Sequence, residues 1–95
     1  MPSFMVAHIR RQNVDLVLVP LDGDFDHYPR EEQAALVGEL RTRAKAAGLL
    51  GTVVPVWMGE NEHMKFVAPR NLHEIFRGID VPWVLASVNR ELSWT

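Results

Sequence analysis

Three aspartates, a histidine and a tyrosine occur within a single stretch of seven residues. Asp22, Asp24 and Asp26 stand at alternate positions, and His27 and Tyr28 follow directly. Carboxylates at alternate positions of a loop can converge on a hard cation such as Ca²⁺. A histidine beside a carboxylate can exchange a proton near neutral pH. These types and spacings make the stretch a candidate for ion binding, small-molecule binding or acid–base chemistry.

The calcium motif is incomplete in loop 22–28. A calcium loop has glycine at its sixth position and glutamate at its twelfth, whereas this chain has His27 and Gln33 there. A turn at Asp22, with Asp26 capping the following helix, accounts for the same residues without an ion. We therefore assign no metal ligand and no cofactor, and ion binding at this loop stays open as an alternative.

The remaining residues give no catalytic motif. No two of the four histidines have the i, i+4 spacing of a zinc-binding helix. His27 and His63 could form a zinc or iron site beside a carboxylate only if the fold brought them together. The chain has no cysteine and no G-x-S-x-G motif, so no activated nucleophile is indicated. We predict that the protein binds rather than catalyses, with enzymatic activity left open.

The loop follows the most apolar strand and precedes the longest helix. Residues 14–21 are apolar on both faces, which predicts a strand inside a sheet with cover on both sides. Residues 4–10 pair with it as a hairpin. Pro29 then opens a helix over residues 30–47, and Gly48 supplies its left-handed C-terminal residue.

A second hairpin is predicted over residues 52–68. Its strands are Thr52–Met58 and His63–Ala68, and Pro55 makes the first of them an edge or bulged strand. The expected fold class is α+β, with two hairpins forming a four-stranded, mostly antiparallel sheet. The long helix follows the second strand, and one or two helices end the chain (ββαββα(α)). The whole of residues 1–95 forms one domain.

The C-terminal part is less determined. A short helix starts at Arg70 or Asn71 and ends at Gly78, by its apolar spacing and its glycine. Residues 81–92 have apolar positions at helical intervals, which favours a helix, and a strand over residues 83–88 is the alternative. Trp94 is expected to dock onto the body of the domain rather than to stand free.

Bulk composition excludes several classes of function. The net charge of −2 over 95 residues argues against a nucleic-acid binder, because phosphate binding normally requires a basic excess. The N-terminus lacks the pattern of a signal peptide, and no apolar run is long enough to span a bilayer. We expect a soluble cytoplasmic protein without membrane contact.

Two functions follow as expectations. The first is a non-enzymatic protein-interaction module for an unidentified partner, with a homodimer as one form of it. Its contact surface would be the edge hairpin 52–68 or an uncovered face of the sheet. The alternative is a small-molecule or metal-binding protein, an enzyme included, that uses loop 22–28. The residues assigned to ligand or partner binding are Asp24, Asp26, His27, Tyr28 and Trp57.

Overall fold

A computed structural model describes residues 3–60 and 62–93. The strands are β1 (Ser3–Arg11), β2 (Val14–Pro20), β3 (Thr52–Met58), β4 (Met64–Phe66) and β5 (Arg90–Ser93). The helices are α1 (Arg30–Ala46) and α2 (Val81–Ser87), with two 3₁₀ segments at Gly23–His27 and Arg70–Gly78. Among these residues no helix has the length and apolarity needed to cross a membrane.

The α+β class is confirmed, but the predicted sheet is wrong in detail. The sheet has five strands in the order β4-β3-β2-β1-β5. It is mixed, because β2 and β3 pair in parallel while the other neighbours are antiparallel. The chain returns through α1 between β2 and β3, and such a crossover is what parallel neighbours require. Both predicted hairpins are present, β1 with β2 and β3 with β4. The prediction lacked the parallel pairing that joins them and the fifth strand beside β1.

Pro55 lies in an interior strand whose register with β2 is continuous, contrary to the prediction of an edge or bulged strand. In an antiparallel ladder, each residue of a bonded pair both donates to and accepts from its partner. The Pro55 carbonyl accepts the Val67 N–H at 3.2 Å, and proline cannot donate in return. Pro55 therefore lacks an N–H only on the side of β3 that faces β4, just beyond the point where β4 ends at Phe66. The pairing of β3 with β2 on the other side is not affected.

The predicted final helix divides into two elements. Helix α2 ends at Ser87, and β5 then pairs with β1, with Leu92 opposite Phe4. Leu92 is buried by this pairing, so its helical spacing was coincidental. The alternative strand at 83–88 is also wrong, since most of those residues belong to α2. Trp94 lies outside the described residues.

Both faces of the sheet are covered within the described part of the chain. Helix α1 lies on one face, where Leu40 and Ala44 pack against β2 and β3. The second 3₁₀ segment and α2 lie on the other, where Phe76 and Val84 pack on Leu18. The uncovered sheet face that sequence reasoning offered as a contact surface is therefore absent from the described structure.

Two glycines shape the connection between the end of α1 and the start of β3. Gly48 has φ +76°, and the Leu49 N–H reaches back to the Ala44 carbonyl at 2.9 Å, which confirms the predicted left-handed helix end. Gly51 has φ +123°, and a side chain there would overlap the Asp15 carbonyl of β2. Only glycine allows β3 to enter the sheet this close to its neighbour.

Candidate functional site

The loops after β2 and β3 lie at the same end of the sheet, because these strands are parallel. The carboxyl ends of parallel strands are the usual place for ligand sites in α/β sheets. The loop after β2 forms the 3₁₀ segment Gly23–His27, which Asp22 caps by accepting the Asp24 N–H at 2.9 Å. The loop is thus an ordered turn that presents its side chains at this end.

Asp26 joins the loop to the second hairpin. Its carboxylate accepts a hydrogen bond from the Trp57 indole N–H at 3.0 Å and another from the Lys65 ammonium at 2.9 Å. These two hydrogen bonds, that from Trp57 first, lower the pKa of Asp26 below its ordinary value. The prediction that Asp26 caps α1 is wrong, since Pro29 holds the cap position and no side chain caps that end.

Trp57 is buried under the loop. Its ring meets the edge of Phe25 with centroids 4.8 Å apart, and its exposed fraction is 6%. The sequence placed Trp57 on an edge hairpin as an anchor for a partner, but it packs inside the protein. The structure does bring it together with Asp26, which sequence reasoning had assigned to a different surface.

The other predicted site residues are exposed around this cluster. Asp24 uses only its backbone N–H in the cap. The His27 ring lies 3.5 Å from the Glu60 carboxylate, with both side chains mostly exposed. Tyr28 lies beside Phe25 at 5.6 Å between centroids. Among the described residues no three histidine, aspartate or glutamate side chains are grouped to hold a metal ion, so His27 and His63 do not form the site considered above.

A cavity of about 400 Å³ opens on one side of Phe25, between the loop, the start of α1 and the start of β1. We name it the β2 cavity. Its walls are apolar and aromatic, and two carboxylates complete the lining. The lining residues are Phe4, Leu21, Asp22, Phe25, Tyr28, Glu32 and Leu36.

Two further cavities follow one another along α1 on the other side of Phe25, and we name them together the α1 groove. The first, about 400 Å³, lies between Phe25, Val67 and the N-terminal half of α1. The second, about 440 Å³, lies between the C-terminal half of α1 and residues 49–53. Arg41 lines both cavities.

Basic side chains line the α1 groove along one stripe of the helix. Arg30, Arg41 and Lys45 are spaced so that they fall on the same face of α1. This surface was not predicted from the sequence, although the three residues have helical spacing there. The sequence does not show the opposite wall of the groove. Val67 and Pro69 are distant from α1 along the chain and line the same cavities as α1 only in the folded protein.

Comparisons with models of protein families, with curated proteins and with solved structures find no match to this chain.

Proposed function

We propose that this protein is a non-enzymatic protein-interaction module that binds an extended, acidic segment of a partner protein in the α1 groove. The observation that carries the proposal is a row of three cations, none of them ion-paired with a described residue, over an apolar floor. The groove borders the hairpin 52–68, which is the region that the sequence favoured for a partner.

The cations of the α1 groove have no internal counter-charge. Arg30, Arg41 and Lys45 form no ion pair with any described residue, and no carboxylate is among the described residues that line the two cavities. Arg43 differs, because it lies off this stripe and pairs with Glu39 at 3.0 Å. A groove with only positive charge favours an anionic partner, both by attraction and by repelling basic competitors.

The floor of the groove provides apolar contact between the charges. Val37 and Val53 form buried parts of it, while Val67 and Leu50 remain 43% and 73% exposed. An apolar floor with charged side chains at its margin matches the arrangement of protein interfaces, which have an apolar centre and a polar rim. A partner segment that alternates acidic and apolar residues would satisfy both features.

The length of the groove sets the size of the segment. Arg30 and Lys45 are fifteen positions apart on α1, which corresponds to about 22 Å at the rise of an α-helix. An extended chain covers this distance with about seven residues. The side chains of such a segment would point alternately towards the floor and towards the solvent.

The test is the binding of two fluorescein-labelled peptides of about seven residues, one alternating glutamate with leucine and the other lysine with leucine. Fluorescence anisotropy should show saturable binding of the glutamate peptide, weakened by added salt, and little binding of the lysine peptide. Arg41→Gln should weaken binding by about fivefold, equivalent to about 1 kcal/mol for an exposed charge pair.

Arg43→Gln is the matched control, because it removes the same charge from the same helix outside the groove. Equal binding of the two peptides, equal losses in the two variants, or no saturable binding of either peptide would contradict the proposal. A homodimer is the remaining form of interaction, and a molar mass of twice the chain in light scattering would identify it.

A further inference from the structure

We infer that the β2 cavity is a second binding site, independent of the α1 groove, and that its ligand is a small organic ammonium ion with an aromatic or alkyl body. The cavity combines aromatic walls with two carboxylates, and its lining contains no basic side chain among the residues that the structure describes. This is the opposite charge from the groove on the other side of Phe25.

The walls suit the apolar body of such a ligand. Phe4, Leu21 and Leu36 line the cavity with apolar surface, and Tyr28 is 44% exposed. A volume of about 400 Å³ lies in the range of known small-molecule sites, which are concave, mostly apolar and carry few polar groups.

Phe25 makes one wall rigid before any ligand arrives. Its ring is held by Trp57, and its carbonyl accepts a hydrogen bond from the Gln33 side-chain amide at 2.8 Å. Trp57 is itself tied to Asp26. A preformed wall reduces the ordering cost that a ligand must offset on binding.

Charge selects a cation for this cavity. Asp22 uses one carboxylate oxygen, Oδ1, to accept the Asp24 N–H, and its other oxygen makes no hydrogen bond with a described residue. Glu32 forms no ion pair with a described residue. The N-terminus of α1 contributes about half a positive charge, which two full negative charges outweigh. A carboxylate ligand would therefore be repelled.

The aromatic rings add to this preference. The face of an aromatic ring attracts an ammonium ion through its quadrupole, and Phe4, Phe25 and Tyr28 all line the cavity. A neutral apolar ligand would bury part of the two carboxylates without compensation, at a cost in desolvation. An amine attached to an apolar body can place its ammonium group near the carboxylates and the aromatic rings while its apolar part contacts the walls.

The experiment compares 2-phenylethylammonium with 3-phenylpropionate, which have the same ring and similar length but opposite charge. Each is titrated into the full chain and followed by amide NMR. The amine should cause saturable shifts at residues lining the cavity, and the propionate should not. Glu32→Gln should weaken amine binding by about threefold to fivefold, the loss expected for an exposed charge pair.

Glu31→Gln provides the control, because it removes the same charge from the same helical turn at a residue that does not line the cavity. Both residues are exposed, so neither variant is expected to unfold. Equal binding of amine and propionate, equal losses in the two variants, or no shifts at the cavity would overturn the inference. The peptide experiment on the α1 groove is unaffected by any of these results.

Discussion

Phe25 is the residue on which the candidate site depends, and its removal should destabilise the protein measurably. Its side chain is only 2% exposed, although it lies in the loop after β2. It packs against Trp57 at 4.8 Å and Tyr28 at 5.6 Å between ring centroids, and Val37 belongs to the same buried cluster. A phenylalanine in this position acts as a core residue.

We expect Phe25→Ala to lower the free energy of unfolding by about 3 kcal/mol, the low end of the range for buried phenylalanines. The low end applies because cavities flank the ring on two sides, so fewer packing contacts are lost than in a closed core. Tyr28→Ala removes the neighbouring ring, but at 44% exposure it should cost less than about 1 kcal/mol.

The assay is urea unfolding followed by far-UV circular dichroism, since tryptophan fluorescence would itself respond to a change beside Trp57. With a denaturant slope of about 1–1.5 kcal/mol/M for a domain of this size, the midpoint should fall by about 2–3 M in Phe25→Ala. A double-mutant cycle of Phe25→Leu and Trp57→Leu, each of which removes one ring, should show a coupling of about 1 kcal/mol from the aromatic pair.

Equal losses of stability in Phe25→Ala and Tyr28→Ala, or a loss below about 1 kcal/mol in Phe25→Ala, would contradict the core role of Phe25. Either result would mean that loop 22–28 is not packed onto the hairpin in solution. An absence of coupling between Phe25 and Trp57 would mean that their ring contact contributes nothing beyond the burial of each side chain.

Two further perturbations test the helix and the loop anchor. Gly38→Ala should raise the free energy of unfolding by about 1 kcal/mol, because alanine is the better helix former and the new methyl group would meet nothing within 4 Å; a loss of stability in urea would contradict this. The lowered pKa of Asp26 means that its contribution to stability is present at neutral pH and is lost as pH falls through that pKa. The melting temperatures of the wild type and Asp26→Asn should therefore differ at pH 7 and converge only once the pH falls below the lowered pKa of Asp26, and a difference independent of pH would refute the role of the charge.

The amino-acid sequence predicted the elements whose signals are local. Helix α1 was expected at 30–47 and runs to Ala46, because Pro29 and Gly48 mark its ends and the apolar residues between them have helical spacing. Strand β2 was expected to have cover on both faces, and the cores on both sides of the sheet confirm this. These features depend on neighbours a few residues apart.

The sequence also predicted a loop over residues 22–28, but it did not predict the contacts that the side chains of this loop make. Asp26 was expected to cap α1, which is the local solution for a short acid before a helix. The structure offers it two stronger donors, Trp57 and Lys65, which lie 31 and 39 positions along the chain. A preference based on neighbouring residues cannot compare a nearby backbone N–H with donors that come close to Asp26 only when the sheet forms.

Tertiary structure alone decided the strand pairing and the two candidate surfaces. Periodicity shows which face of a strand is buried but not which strand lies beside it, so the parallel pairing of β2 with β3 and the addition of β5 to β1 were missed. The α1 groove and the β2 cavity each join segments from distant parts of the chain. The sequence determines which residues are charged or apolar. A concave site forms only where the fold brings residues from distant parts of the chain to opposite sides of one cavity.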